Sequence, residues 1–309
     1  MQTHSSPACA TSLVTLDAAA LRHWPLPVPD AAGDKETRGH VLVLGGSREM
    51  PGAVILAATA AMRSGAGKPT IATGRSVAQL VALAIPEARV IGLRETEEGG
   101  FLPDAAAELD PLADKVSAFL IGPGMQDEAA TAALVRALLP RLRGTSVVLD
   151  ASAMGVVGNP DAGNGAAPFR FDEPVVLTPH AGEMAHLTGM TKEGVAAQPQ
   201  QVCVAAACRW NAVLALKGAR TIIADPAGVT WQHDGGNVGL AISGSGDVLA
   251  GIIAGLAARG ATLAQATCWG VALHALAGER LAARMGLLGY LAREVPAELP
   301  ALLEQVAQG

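Results

Sequence analysis

From Arg38 onward the chain repeats one rhythm: a short run of β-branched or leucine-type residues, a turn containing Gly, then an Ala-rich stretch of helical periodicity. The runs predict strands over His40–Leu44, Pro69–Ala72, Ala88–Gly92, Ala118–Ile121, Ser146–Leu149, Val175–Leu177, Ala212–Leu216 and Thr221–Ala224. The intervening patterns predict helices over Ala53–Ser64, Ser76–Ala84, Ala129–Leu139, Gly182–Thr188, Pro199–Arg209, Val248–Arg259, Leu263–Met285 and Val295–Gln308. Uninterrupted apolar strands alternating with helices imply an α/β fold, with a mostly parallel central sheet and helices on both faces. Residues 1–37 are rich in Pro and polar residues and are expected to form a peripheral N-terminal arm, leaving 38–309 as one domain. The stretch 158–168 (GNPDAGNGAAP) reads as a surface loop. Ligands of such sheets sit at the carboxyl ends of the strands, so the polar and Gly-rich turns there are where function is expected.

Composition narrows the ligand. The 22 basic and 28 acidic residues give a net charge of −6, so no general attraction to nucleic acid or anionic membrane is expected. A polyanionic ligand would have to be held by local geometry, which points to backbone amides. Aromatic residues make up only 3% of the chain, which argues for an aliphatic core and against base-stacking platforms. Half of the residues are hydrophobic and the mean hydropathy is +0.33, which excludes disorder. Cys9, Cys203, Cys208 and Cys268 do not have the spacing of a zinc site or a disulfide framework and read as packing residues. The start of the chain lacks the apolar run of a signal peptide, and Val248–Ala258 is too short to span a membrane. A soluble, cytoplasmic protein is expected.

Several familiar patterns fail. Gly65-Ala66-Gly67-Lys68 lacks the earlier Gly and the following Ser/Thr of a P-loop, since Met62 and Pro69 occupy those places. Gly45-Gly46-Ser47 is not a dinucleotide fingerprint, and no G-x-S-x-G elbow occurs. His180, Glu183 and His186 share a helical face without the zincin spacing, so His186 reads as a surface residue.

Three segments hold. Ser243-Gly244-Ser245-Gly246-Asp247 runs directly into a helix, so that bare backbone N–H groups and the helix's positive end can form an anion hole. Asp247 beside it is either a helix cap or a base that takes a proton from a hydroxyl attacking a phosphoryl group. Lys217-Gly218-Ala219-Arg220-Thr221 joins two apolar strands and suits backbone contact with a nucleotide. In Thr178-Pro179-His180-Ala181-Gly182-Glu183 the strand stops at Pro179, and His180 and Glu183 project above the sheet edge or frame a helix start. Gly122-Pro123-Gly124, Gly45-Gly46-Ser47 and Asp150 close other strands.

In order along the chain, GHVLVLGGS(x4)GA, IGPG, VVLDA, LTPHAGEM, LKGARTII and SGSGDVLAGIIAGL resemble the ADP/ATP-dependent NAD(P)H-hydrate dehydratases, of the ribokinase-like superfamily. The resemblance covers roughly residues 38 to 305 and implies a ribokinase-like fold in the stand-alone form, without an epimerase domain. It implies repair of hydrated nicotinamide cofactors, (S)-NADHX and NADPHX. ADP or ATP phosphorylates the 6-hydroxyl, and loss of phosphate restores NADH or NADPH. Asp247 is then the base, with Gly244, Ser245 and Gly246 as the anion hole. Lys217, Gly218, Ala219, Arg220 and Thr221, with Gly246, would hold the adenine nucleotide. Ala53, Gly122 or Gly124, His180 and Asp247 would touch the hydrated cofactor, and Glu183 would organise Mg2+ through water. A separate epimerase and self-association into a homo-oligomer are the implied partners. Two departures stand out: Asp150-Ala151-Ser152 replaces a usual D-A-D, and Asn237-Val238-Gly239 replaces a stretch that commonly holds Pro. The alternatives are a ribokinase-like kinase for a small-molecule alcohol and a non-catalytic nucleotide-binding protein. His180, where such kinases commonly carry Asn, speaks against the first, and the retained Asp247 against the second.

Overall fold

A computed structural model of the chain describes residues 13–30, 32–158 and 169–308. Cys9 and all but the first residue of the predicted loop 158–168 lie outside the described residues. In chain order the elements begin β1 (Leu13–Thr15), α1 (Ala18–Arg22), β2 (His40–Leu44), α2 (Gly52–Arg63), β3 (Lys68–Gly74), α3 (Ala78–Ala84) and β4 (Arg89–Leu93). There follow α4 (Ala105–Ala113), β5 (Ala118–Ile121), α5 (Glu128–Leu138), β6 (Ser146–Leu149), β7 (Val175–Leu177), α6 (Ala181–Thr188), α7 (Lys192–Ala197) and α8 (Pro199–Trp210). The chain closes with β8 (Ala212–Leu216), β9 (Thr221–Ala224), β10 (Thr230–His233), α9 (Ser245–Ala258), α10 (Leu263–Met285) and α11 (Val295–Gln308).

The strands make one ten-stranded sheet in the order β1-β10-β9-β8-β7-β6-β5-β2-β3-β4. Every neighbouring pair from β8 to β4 is parallel, and only β9 runs against its neighbours. Continuous apolar strands are what a sheet covered on both faces requires. Alternate residues of β2 accordingly enter different cores. Val41 and Val43 belong to the core built with α2, α9, α10 and α11, whereas Leu42 and Leu44 belong to the core built with α4, α5 and α8. Cys203, Cys208 and Cys268 carry no disulfide, and burial pushes the Cys203 thiol up to about 12. No helix among the described residues is long and apolar enough to cross a membrane.

The expected peripheral arm is corrected over its described part. β1 pairs with β10, Leu16 and Leu21 are buried, and Trp24 stacks on Trp231 with ring centroids 5.7 Å apart. The Trp269 indole donates to the Trp24 carbonyl at 2.9 Å, Arg259 donates to that of Pro27 at 3.1 Å, and His233 Nδ1 bonds the carbonyl of Leu16 at 2.8 Å. The segment's few large apolar side chains need cover, and the sheet edge supplies it. The pattern also misses β10, α4 and α7. β10 reads Thr-Trp-Gln-His and is half-buried near the sheet edge, while α4 carries Pro111 yet buries Ala105, Ala106, Leu109 and Leu112.

α9 crosses α2 at backbone contact. A Cβ added at Gly251 would overlap the Ala57 carbonyl oxygen and lie 2.9 Å from the Ala57 Cα, and Gly255 meets Ala61 in the same way. Because backbone cannot yield as a side-chain tip can, Gly251→Ala is expected to destabilise by ~2 kcal/mol, exceeding the helix-propensity gain of about 1 kcal/mol. The control is Gly52→Ala, where a Cβ meets nothing within 4 Å. Urea denaturation should give a lower midpoint for the first variant and none of that loss for the second.

Candidate active site

Parallel register places Leu149, Leu177 and Leu214 side by side, so the residues that follow emerge along one sheet edge. Asp150 follows β6 and is buried, accepting a hydrogen bond of 2.6 Å from the Thr178 hydroxyl after β7. Lys217 follows β8, and its backbone N–H donates to the Pro179 carbonyl at 2.8 Å, which ties the two strand ends together. Its ammonium lies 3.5 Å from Asp150 Oδ1 and 3.8 Å from Glu183 Oε2. Burial opposes the Lys217 charge, but Asp150, Glu183 and Asp247 outweigh it and hold the ammonium above the usual lysine range.

α6 begins in a reciprocal cap. His180 Nδ1 accepts the N–H groups of Gly182 and Glu183, both at 3.0 Å, while Glu183 Oε2 accepts the His180 N–H at 2.7 Å. With Nδ1 taken up as an acceptor, Nε2 is the ring's donor, on an exposed ring and 3.7 Å from Glu183 Oε2. Framing the helix start and projecting above the sheet edge are thus compatible roles for these two residues.

α9 begins at Gly244, in the left-handed region at φ +87° with no side-chain cap, so Asp247 is inside the first turn and is not its cap. The first four amides of a helix lack partners within it. Here the Ser245 N–H reaches the Ile242 carbonyl at 3.3 Å and the Val248 N–H that of Gly244 at 3.1 Å. The Val248 bond is the first of the helix ladder, so within α9 the Gly246 and Asp247 amides are left as free donors, next to that of the Gly244 cap. The Lys217 ammonium is 3.4 Å from the place a Cβ on Gly246 would occupy, so cation and amides converge. Burial pushes the Asp247 carboxyl up to about 7, with Asp150 and Glu183 adding to the shift and Lys217 opposing it.

These groups line a cleft of about 840 Å³ together with Gly218, Ala219, Thr221 and the 233–242 loop. A groove of about 370 Å³, with Ser152 and His186 on its walls, shares Ala151, His180 and Glu183 with the cleft. Arg220 does not line the cleft and pairs with Asp234 at 2.8 Å on the surface. Ala53, Gly122 and Gly124 gather at the neighbouring end of β5 and the start of α2: a Cβ on Gly124 would sit 2.7 Å from that of Ala53, and one on Gly122 would overlap the Asp150 carbonyl. Sequence reasoning missed His274 of α10, whose Nε2 is 3.0 Å from the Ser245 hydroxyl and whose burial lowers it to about 4. The signal was a lone His within the apolar run 269–278 of α10. It also missed Asn237, whose side-chain oxygen accepts from the Gly239 N–H and the Tyr290 hydroxyl, each at 2.8 Å.

The family model described as NAD(P)H-hydrate dehydratase matches residues 41–301. The chain is 48% identical over 295 residues to an ADP-dependent (S)-NAD(P)H-hydrate dehydratase of Xanthomonas campestris pv. campestris, covering 96% of this chain and 98% of that protein. It is 40% identical to a bifunctional NAD(P)H-hydrate repair enzyme of Moorella thermoacetica, covering 92% of this chain but only 52% of that protein. Among solved structures, the ADP/ATP-dependent NAD(P)H-hydrate dehydratase of Bacillus subtilis, co-crystallised with ATP and Mg2+, superimposes with a TM-score of 0.78 at 30% identity. That match covers 95% of this chain and 98% of the other.

The raised Asp247 carboxyl has a consequence for stability. An unfolded chain releases this proton near the ordinary value of 3.8, whereas the folded chain holds it to about 7. The group's contribution to stability therefore declines as pH rises through that window and stays low above it. Asp247→Asn, which never ionises, should melt at a higher temperature than the parent at about pH 8, with the gap closing towards pH 4. Equal melting temperatures at both pH values would contradict the burial of this charge.

Proposed function

The chain belongs to the NAD(P)H-hydrate dehydratase family, and on that premise we propose that it restores NADH and NADPH from their (S)-hydrates with ADP or ATP as phosphate donor. The observation that carries this reading is a carboxylate, Asp247, beside two free helix amides and the Lys217 ammonium in one cleft. The terminal phosphate of the nucleotide lies on the amides of Gly246 and Asp247 and against Lys217, while Gly218, Ala219 and Thr221 line the nucleotide's path. Asp247 takes the proton of the substrate 6-hydroxyl as that oxygen forms a bond to phosphorus and the bond to the departing nucleotide breaks. A carboxyl at about 7 is substantially ionised near neutrality and still basic enough to accept that proton. Phosphate then leaves with the C6–O electron pair, the adjacent carbon gives up a proton to water, and the electrons of that C–H bond form the ring double bond. His180 offers its Nε2 proton to the substrate, with Ala53, Gly122 and Gly124 alongside.

The donor set suits Mg2+, which prefers carboxylate oxygens, phosphates and water. No three ligating side chains group closely enough among the described residues to cage a metal, so Glu183 would hold the ion through water. When bound, the ion neutralises charge on the phosphate oxygens. We also assign the chain to the cytoplasm, as a homo-oligomer that acts beside a separate epimerase. The bifunctional NAD(P)H-hydrate repair enzyme of Moorella thermoacetica is about twice as long as the stretch it shares with this chain.

The test is the near-ultraviolet absorbance of dihydronicotinamide after mixing the protein with Mg2+, (S)-NADHX and either ADP or ATP. A nucleotide-dependent rise is expected. A stable phosphorylated product without that rise would make the protein a kinase of the same fold. Asp247→Asn should lower turnover by at least ~100-fold while nucleotide affinity survives, and near-normal turnover of the folded variant would remove Asp247 from the chemistry.

A further inference from the structure

Ser245 stands at the first position of α9, is buried, and its hydroxyl has one hydrogen-bond partner, the Nε2 of His274 at 3.0 Å. The histidine comes from the middle of α10, a helix that otherwise presents Val271 and Ala275 to the cleft at this level. Nothing in the proposed reaction requires an imidazole at that place. Its environment keeps it neutral, so it acts neither as a cation on the phosphate nor as an acid.

A neutral imidazole has one N–H and one bare nitrogen, and the Nε2 facing Ser245 can be either. If Nε2 is bare, it accepts the serine proton and Ser245 presents only lone pairs to the cleft. If Nε2 carries the proton, it donates to the serine oxygen, and the serine O–H must point elsewhere. The open direction is the cleft that Ser245 lines beside the two free amides. A phosphoryl group accepts hydrogen bonds and is repelled by lone pairs, so its arrival selects the second arrangement.

We propose that His274 is a positioning residue that donates from Nε2 to the Ser245 hydroxyl and thereby turns that hydroxyl into a third donor to the transferring phosphoryl group, beside the amides of Gly246 and Asp247. The inference rests on the phosphoryl-transfer reading given above. It involves hydrogen bonds alone, and no proton is transferred. It also gives the serine of the S-G-S-G-D segment a task that the glycines cannot perform, since they contribute backbone only.

The experiment compares two amides at position 274. His274→Gln places an N–H close to where Nε2 stood, whereas His274→Asn is too short to reach Ser245. His274→Gln should keep kcat within ~3-fold of the parent, and His274→Asn should lower it by roughly 10–100-fold with little change in either KM. In a Ser245→Ala background the two variants should no longer differ, because both act through the hydroxyl. Equal kcat for Gln and Asn, or an undiminished difference without the hydroxyl, would overturn the proposal. A second readout does not need turnover: 15N shifts of the His274 ring in protein saturated with ADP and Mg2+ should report the Nε2–H form. The Nδ1–H form there would overturn the proposal even in an active enzyme. If the parent protein restores no dihydronicotinamide, the functional reading falls, and the ring tautomer decides this inference on its own.

Discussion

One ammonium among three carboxylates organises the cleft. Asp150, Glu183 and Asp247 are each contributed by a different element, and Lys217 interacts electrostatically with all of them. Carboxylates drawn together away from water repel one another and tend to take up protons. The Lys217 charge offsets that tendency, and Asp247 settles near neutrality instead of higher. The cation in turn remains charged because of the acids. Neither sign is stable there alone, and the arrangement exists only because β6, β7 and β8 bring their carboxyl ends to one level.

The same cleft resolves a problem set by the chain's overall charge. At −6 the protein has no long-range pull on a nucleotide or a dinucleotide. The attraction is confined to the first turn of α9, where Gly244 and Gly246 strip side chains from the backbone, and to a single lysine beside it. Donors fixed in place before a ligand arrives need no reorganisation when charge moves.

The parallel core was legible because buried strands such as β5 and β8 are apolar at every position, which few other structures demand. The site was legible where chemistry and backbone coincide in sequence, as in Gly244–Asp247 and Lys217–Thr221. What stayed hidden depends on distant partners. β1 has three exposed residues and no pattern of its own, and it becomes a strand only because β10 lies beside it. His274 is twenty-nine positions from Ser245 and meets it only through the packing of α10 on α9. Asp150 looks like any strand end until Thr178 and Lys217 arrive from two further strands. Ala53, Gly122 and Gly124 come together through contacts that only the folded sheet makes.

The pairing of β1 with β10 also sets an order of events on the ribosome. Leu16 and His233 are separated by 217 positions, and their hydrogen bond joins the start of the chain to the strand that leads into the cleft-lining loop. Translation at about 5–20 residues per second leaves the first strand without its neighbour for roughly 10–40 s. During that time Leu16, Leu21 and Trp24 have no surface of their own to cover them, although β2 to β6 can already associate. The last edge of the sheet thus closes after most of the molecule has formed, and a chaperone acting on this protein would find its binding segment at residues 16–24, made long before the strand that covers it.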